Sequence, residues 1–312
     1  MADVSYRELT YASADGVNLV RAYVWEPVGE KPRAIIQLSH GMCEYVQRYD
    51  TWARRFAALG FVFCGNDHLG HGNTAKNEEE LGFTAKRNGA EYLAADLYTL
   101  TALMRAEYGA DVPVVLYGHS MGSFVARKYM TQYDDGLAAV ILSGTAGPGA
   151  PAGIAKALAR AIAAFRGDHH RSKLIFSLAF SSYDKRFKAE NDGASWLTRD
   201  IAVREAYRND PFCTYRFTLG GYDTLFSLLG EVSAKKWANG VGKDLPILLL
   251  AGEEDPVGDY GRGVRKVHDR LAAAGCNVRL ALYADGRHEM HNEHNRDEVF
   301  GDIVAYLEEN LA

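Results

Sequence analysis

The chain has 312 residues, 47% hydrophobic and 24% charged, an ordinary balance for a globular protein with a large buried core. Its formal net charge of -5, with no basic stripe, gives nucleic-acid binding no electrostatic support. No apolar run reaches the roughly 20 residues of a transmembrane helix, and the opening MADVSYRELTYAS lacks the basic start and apolar core of a signal peptide.

The predicted elements begin with antiparallel strand material. Alternating segments at 6–11 and 17–25 flank Asp15-Gly16, a hairpin-type turn pair. The apolar run 34–38 is a buried strand that stops at Ser39-His40-Gly41. A helix over 49–59 is closed by Gly60, and a strand at 61–64 runs into Asn66-Asp67-His68. Residues 90–108 place Leu93, Leu97, Leu100, Leu103 and Met104 on one helical face. Then come a strand at 113–117, a helix over 121–133 and a strand at 137–142. Between 145 and 243 helices dominate and no buried strand is evident. Strands return at 246–250 and 278–283, with helices over 260–274 and up to Leu311. Alternating strands and helices make a mostly parallel central sheet flanked by helices, an α/β class. The interruption reads as a helical cap, 145–243, inserted between sheet strands of a core formed by 1–144 and 244–312.

Residues 118–122, Gly-His-Ser-Met-Gly, stand directly between a strand and a helix. A nucleophile at such a sharp turn is exposed at the sheet edge, and the following helix directs its positive end at the site. A glycine-rich turn without chemistry would not need Ser120 at its apex. A serine hydroxyl needs a base, and the base an orienting carboxylate, both expected past later strand ends in the order Ser, Asp or Glu, His. Four carboxylates compete in the first such loop: Glu253, Glu254, Asp255 and Asp259. Asp255 is selected because Pro256 stiffens a short loop that turns it inward; Glu253 and Asp259 read as a solvated turn. His288 follows the last strand and is the expected base. His291 and His294, spaced three apart from it, could face one side of a helix, but Asn292 stands where a zinc-binding H-E-x-x-H would have its second histidine. Neither a metal nor a cofactor is expected. The oxyanion donors are expected to be the backbone N–H groups of Met42, in the loop after an early strand, and of Met121.

At these residues the chain resembles the monoacylglycerol lipase and lysophospholipase-like family of α/β-hydrolases. The resemblance rests on His40-Gly41-Met42-Cys43-Glu44, Asp67-His68-Leu69-Gly70-His71-Gly72, residues 118–122, 252–257 and His288-Glu289, with Thr198-Arg199-Asp200 and Asn209-Asp210-Pro211 in the cap. It implies the α/β-hydrolase fold and a triad of Ser120, Asp255 and His288 acting without a cofactor on acyl esters such as monoacylglycerol or lysophospholipid. Cys43 and Tyr45 stand where many members have Gly and His, which bears on the head-group contacts. Thr74 replaces a frequent serine.

In the cap, Ile154, Ala157, Leu158, Ala161, Ile162 and Phe165 form an apolar stripe, and 174–180 is a second apolar stretch. Packing on the core is one reading. The other is an acyl tunnel or transient contact with a lipid interface, with Arg160, Arg166, Arg171 and Lys173 nearby. The function expected is a carboxylic ester hydrolase working through an acyl-enzyme. A peptidase or thioesterase on the same triad is the alternative, with Glu190, Asp192 and Asp200 as candidates to hold an amine, and a catalytically silent binding protein is a more distant one. The cysteines Cys43, Cys64, Cys213 and Cys276 form no CxxC pair and read as free thiols of a cytoplasmic protein. The sequence leaves the oligomeric state open.

Overall fold

A computed structural model of the chain describes residues 3–133, 136–149, 152–190 and 192–311. Eight strands make one sheet: β1 (Val4–Ala12), β2 (Leu19–Pro27), β3 (Ile35–Ser39), β4 (Val62–Asn66), β5 (Val114–His119), β6 (Leu137–Ser143), β7 (Ile247–Gly252) and β8 (Val278–Tyr283). Their order is β1-β2-β4-β3-β5-β6-β7-β8. β2 runs antiparallel to both β1 and β4, and all pairings from β4 to β8 are parallel. The short apolar runs seen in the sequence form the buried middle of the sheet, as strands covered on both faces must.

Period-two alternation divides the strands between clusters on the two faces of the sheet. In β7, Ile247, Leu249 and Ala251 join one cluster while Leu248 and Leu250 join the other. The first cluster is closed by α2 (Gly89–Tyr108), α3 (Met121–Tyr129) and α8 (Arg262–Ala273). The second is closed by α1 (Asp50–Ala58) and α9 (Arg296–Asn310), where Trp52, Phe56 and Phe300 pack edge and face. Helix α3 ends at Tyr129 rather than continuing to residue 133. Beyond it the Thr131 hydroxyl donates back to the Lys128 carbonyl at 2.8 Å, a local bond that competes with helix continuation.

The excursion between β6 and β7 holds α4 (Ala152–Arg166), α5 (Lys173–Phe180), α6 (Ile201–Asn209) and α7 (Leu219–Val232), and no strand among the described residues. It divides in two. Helix α7 is buried and packs on α2 and α3, inside the helical layer of the sheet. Helix α4 packs on α7 from outside. Its inward face is Ala152, Ala155, Ala159, Ile162 and Ala163, so the sequence stripe is corrected by a third of a turn. Ile154 is 74% and Phe165 89% exposed, and Leu174 and Leu178 of α5 are exposed as well. No helix among the described residues is long and apolar enough to cross a membrane.

Candidate active site

The C-terminal ends of β3, β5, β6, β7 and β8 point to one edge of the sheet, where open α/β sheets carry their sites. Ser120 sits at the turn between β5 and α3 with φ 52° and ψ -121°, a left-handed backbone that a side chain adopts only under strain. Its amide is fastened to the Ser143 carbonyl at 2.9 Å, so the end of β6 holds the turn. The glycine at 122 is required by a close approach: a Cβ there would lie 1.9 Å from the Ser39 carbonyl oxygen. That approach brings the loop after β3 against the turn at Ser120. Gly41 in this loop is equally constrained, since its Cβ would meet the Glu44 carboxylate at 2.7 Å and the Ser120 Cβ at 3.0 Å.

Ser120, His288, Met42 and Met121 all line one cavity of about 850 Å³. Met121 is the first residue of α3, so its N–H belongs to the amides that have no partner within the helix. Asp255 is fully buried; one oxygen accepts the Val257 N–H at 2.8 Å and the other meets His288 Nδ1 at 3.0 Å. The competition in that loop is resolved by partners: Glu253 faces Arg265, Glu254 pairs with Arg186 and Asp259 with Arg262, all at the surface. Burial disfavours the charged imidazole of His288, but the Asp255 carboxylate outweighs it and holds the pKa above the usual histidine value.

The other histidines take different places. His291 is buried, stacked on Tyr49 at 4.3 Å and edge-on to His119 at 5.1 Å, with its pKa pushed down to about 3 by burial. His294 is exposed. The three do not share a helical face, because a 3-10 turn (Met290–Asn292) separates His288 from His294.

One group carries structural weight that the sequence reading did not assign. The Arg48 guanidinium pairs with Glu289 through two bonds of 2.8 and 2.9 Å, and with Glu44 at 2.8 Å. Glu44 in turn accepts the Gly41 N–H and the Tyr49 hydroxyl. Arg48 thus joins the loop after β3 to the residue beside His288. Burial drives the Glu44 carboxyl upward with Arg48 opposing; at Glu289 the bidentate arginine overcomes burial and drives it downward. Only the four-residue spacing of Glu44 and Arg48 hinted at half of this in the sequence.

Cys43 has φ 54°, the backbone a glycine would adopt, and its Sγ donates to the Tyr215 carbonyl at 3.3 Å. Tyr45 donates to Asp210 at 2.7 Å. Both residues tie the loop after β3 to the segment after α6. Thr74 keeps the role of a hydroxyl, donating to the Asp67 carbonyl and accepting the Arg21 N–H.

Above the serine the cavity is walled by Leu158, Ile175, Phe176, Phe180 and Leu225 from α4, α5 and α7. Phe165 lies outside it, so of the two apolar stretches singled out in the sequence only part, Phe180 included, faces the cavity. Glu190, Asp192 and Asp200 do not converge on this cavity. Glu190 pairs with Arg287 and Arg204, Asp192 with Arg204, and Asp200 with Arg296.

Residues 30–295 match the Hydrolase_4 family, described as serine aminopeptidase, S33. The chain is 28% identical over 311 residues to a monoacylglycerol lipase of Mycolicibacterium smegmatis, covering 100% of both chains. It is 27% identical over 297 residues to a monoglyceride lipase of Rattus norvegicus, covering 93% of this chain and 86% of that one. A thermostable carboxyl esterase from Bacillus coagulans, solved in complex with glycerol, superposes with a TM-score of 0.92 at 29% identity, covering 99% of each chain. The chain belongs to the Hydrolase_4 family and has the α/β-hydrolase fold.

Proposed function

We propose that this member of the Hydrolase_4 family is a carboxylic ester hydrolase that releases fatty acid from monoacylglycerol-like lipids through Ser120, His288 and Asp255. The observation that carries the reading is the buried Asp255–His288 pair opening into the same apolar-walled cavity as the strained Ser120. His288 takes the Ser120 proton as the hydroxyl attacks the ester carbonyl. The Met42 and Met121 amides hold the resulting oxyanion. His288 then protonates the leaving alcohol, and Asp255 keeps the imidazole in the right tautomer throughout. Water repeats the cycle on the acyl-enzyme.

An apolar wall of helix side chains suits a long acyl chain better than a short one. The names of the relatives support monoacylglycerol as the ester. Peptide hydrolysis finds less support, because the cap carboxylates that would hold a substrate amine are already neutralised by arginines. The exposed apolar residues of α4 and α5 support a cap that rests on a lipid surface when substrate enters. Four buried free thiols support a reducing, cytoplasmic setting.

The test is a panel of monoacylglycerols, lysophospholipids, short esters and aminoacyl arylamides given to wild type and Ser120→Ala. Fatty acid from long-chain monoacylglycerol, absent in the variant, is expected. Arylamide cleavage without ester cleavage would replace this reading with the peptidase one.

A further inference from the structure

An imidazole held by one hydrogen bond from Nδ1 to a carboxylate can still tilt about that bond. Catalysis needs its other nitrogen aimed at the serine, so a second restraint is required. In this protein it comes from the cap. The indole of Trp196 lies 5.1 Å from the His288 ring, planes at 40°, within the range of productive aromatic contacts. From the core side His119 lies 4.8 Å from the same ring.

Trp196 is itself fixed. Its backbone N–H donates to Asp184 at 3.3 Å, and its ring meets Tyr183 at 5.0 Å, which meets Phe180 at 5.5 Å. The backbone carries the same restraint. The His288 N–H donates to the Trp196 carbonyl at 3.3 Å, and the Glu289 N–H to the Leu197 carbonyl at 2.7 Å. On either side, Arg287 donates to the Ser195 carbonyl at 2.6 Å and Thr198 to the Asn292 carbonyl at 2.9 Å, while Arg199 pairs with Glu293 at 2.8 Å. This stretch of cap is bolted to the histidine loop along its length.

We propose that Trp196 is a positioning residue that holds His288 in its working orientation, so that this part of the cap stays in place while substrate passes under α4 and α5. The proposal rests on His288 being the base. The titratable and charged groups round the imidazole are Asp255, Glu289, Glu44, His119 and His291, with Tyr183 beside Asp255 and Asp184 on the backbone N–H of Trp196.

The experiment is a fluorescence titration of wild type, Trp196→Phe, Trp196→Ala and His288→Ala, alongside kcat and KM. Protonated imidazole quenches a neighbouring indole far more than neutral imidazole does. Emission of the wild type should therefore fall as pH drops through the His288 titration, and this component should vanish in Trp196→Phe and His288→Ala. Trp52 lies 5.9 Å from His291, but that histidine, held at about 3, does not titrate in the same range. Trp196→Ala should lose about 10- to 100-fold in kcat with KM within about threefold, and Trp196→Phe should recover most of the loss. A quench that persists in Trp196→Phe, a wild type without one, or a Trp196→Ala variant with wild-type kcat would overturn the proposal. Should Trp196→Ala melt well below the others, the phenylalanine variant decides. Labelling of Ser120 by a fluorophosphonate tests the triad separately: wild-type protein that fails to label overturns the triad, whereas labelled protein without the quench overturns the role of Trp196 alone.

Discussion

At the scale of single residues, the environment of His288 sets the pH dependence. In the proposed mechanism the imidazole must be neutral to accept the Ser120 proton, and Asp255 raises its pKa above the usual histidine value. Activity should thus fall on the acid side, with the limb of kcat/KM lying above about pH 6.5. Asp255→Asn should lower kcat by about 10⁴-fold, because the amide favours the wrong tautomer. A limb below pH 6 in wild type would speak against the Asp255–His288 pairing. Arg48 makes a second residue-scale prediction. Arg48→Met leaves Glu44 and Glu289 buried without their cation, and breaking a buried pair this way costs about 3–5 kcal/mol. Thermal unfolding should show it directly. Arg48→Lys should recover only part, since an ammonium cannot reproduce the two-pronged contact with Glu289.

At the scale of elements, the strand ends and their turns do the positioning. Gly122→Ala forces a methyl group into the Ser39 carbonyl. The variant should lose activity and stability together, read as fatty-acid release and melting temperature; unchanged activity would mean that the end of β3 and the turn at Ser120 are not in contact. In the cap, α4 and α5 divide their work by face. Phe180→Ala enlarges the cavity and should shift acyl-length preference, while Phe165→Ala should leave it unchanged. An equal shift in both would contradict the orientation of α4. The strands and most helices were legible in the sequence because buried runs and 3.6-residue spacing are local signals. The turn at Ser120 between β5 and α3 was legible for the same reason, its glycines, serine and flanking elements lying within a few residues. The orientation of α4 was not. Its apolar residues surround most of the helix, so periodicity left open which face meets α7, and small alanines won the packed side. The Arg48 link was hidden for a different reason: Glu289 lies 241 positions away, and nothing local marks a pair that only the sheet topology brings together.

At the scale of the whole molecule, charge and apolar surface are unevenly spread. The chain carries -5 overall, yet residues 152–183 hold five basic side chains, Lys156, Arg160, Arg166, Arg171 and Lys173, against the single acid Asp168. The same segment exposes Ile154, Phe165, Leu174 and Leu178. A basic, apolar face is suited to an anionic lipid surface. Replacing Phe165 and Leu174, both exposed and outside the cavity, by Ser should reduce hydrolysis of monoacylglycerol embedded in anionic vesicles several-fold while sparing a short water-soluble ester. Equal loss on both would assign these residues to the fold and not to the interface. The cavity that holds Ser120 lies beneath α4 and α5, so the proposed reading makes substrate, cap and triad one path from surface to serine.

The most direct test of that path is fatty-acid release from a long-chain monoacylglycerol by wild type beside Ser120→Ala. The account predicts steady release by the wild type and none above background by the variant. Release that survives the substitution, or no release by either protein, would contradict it.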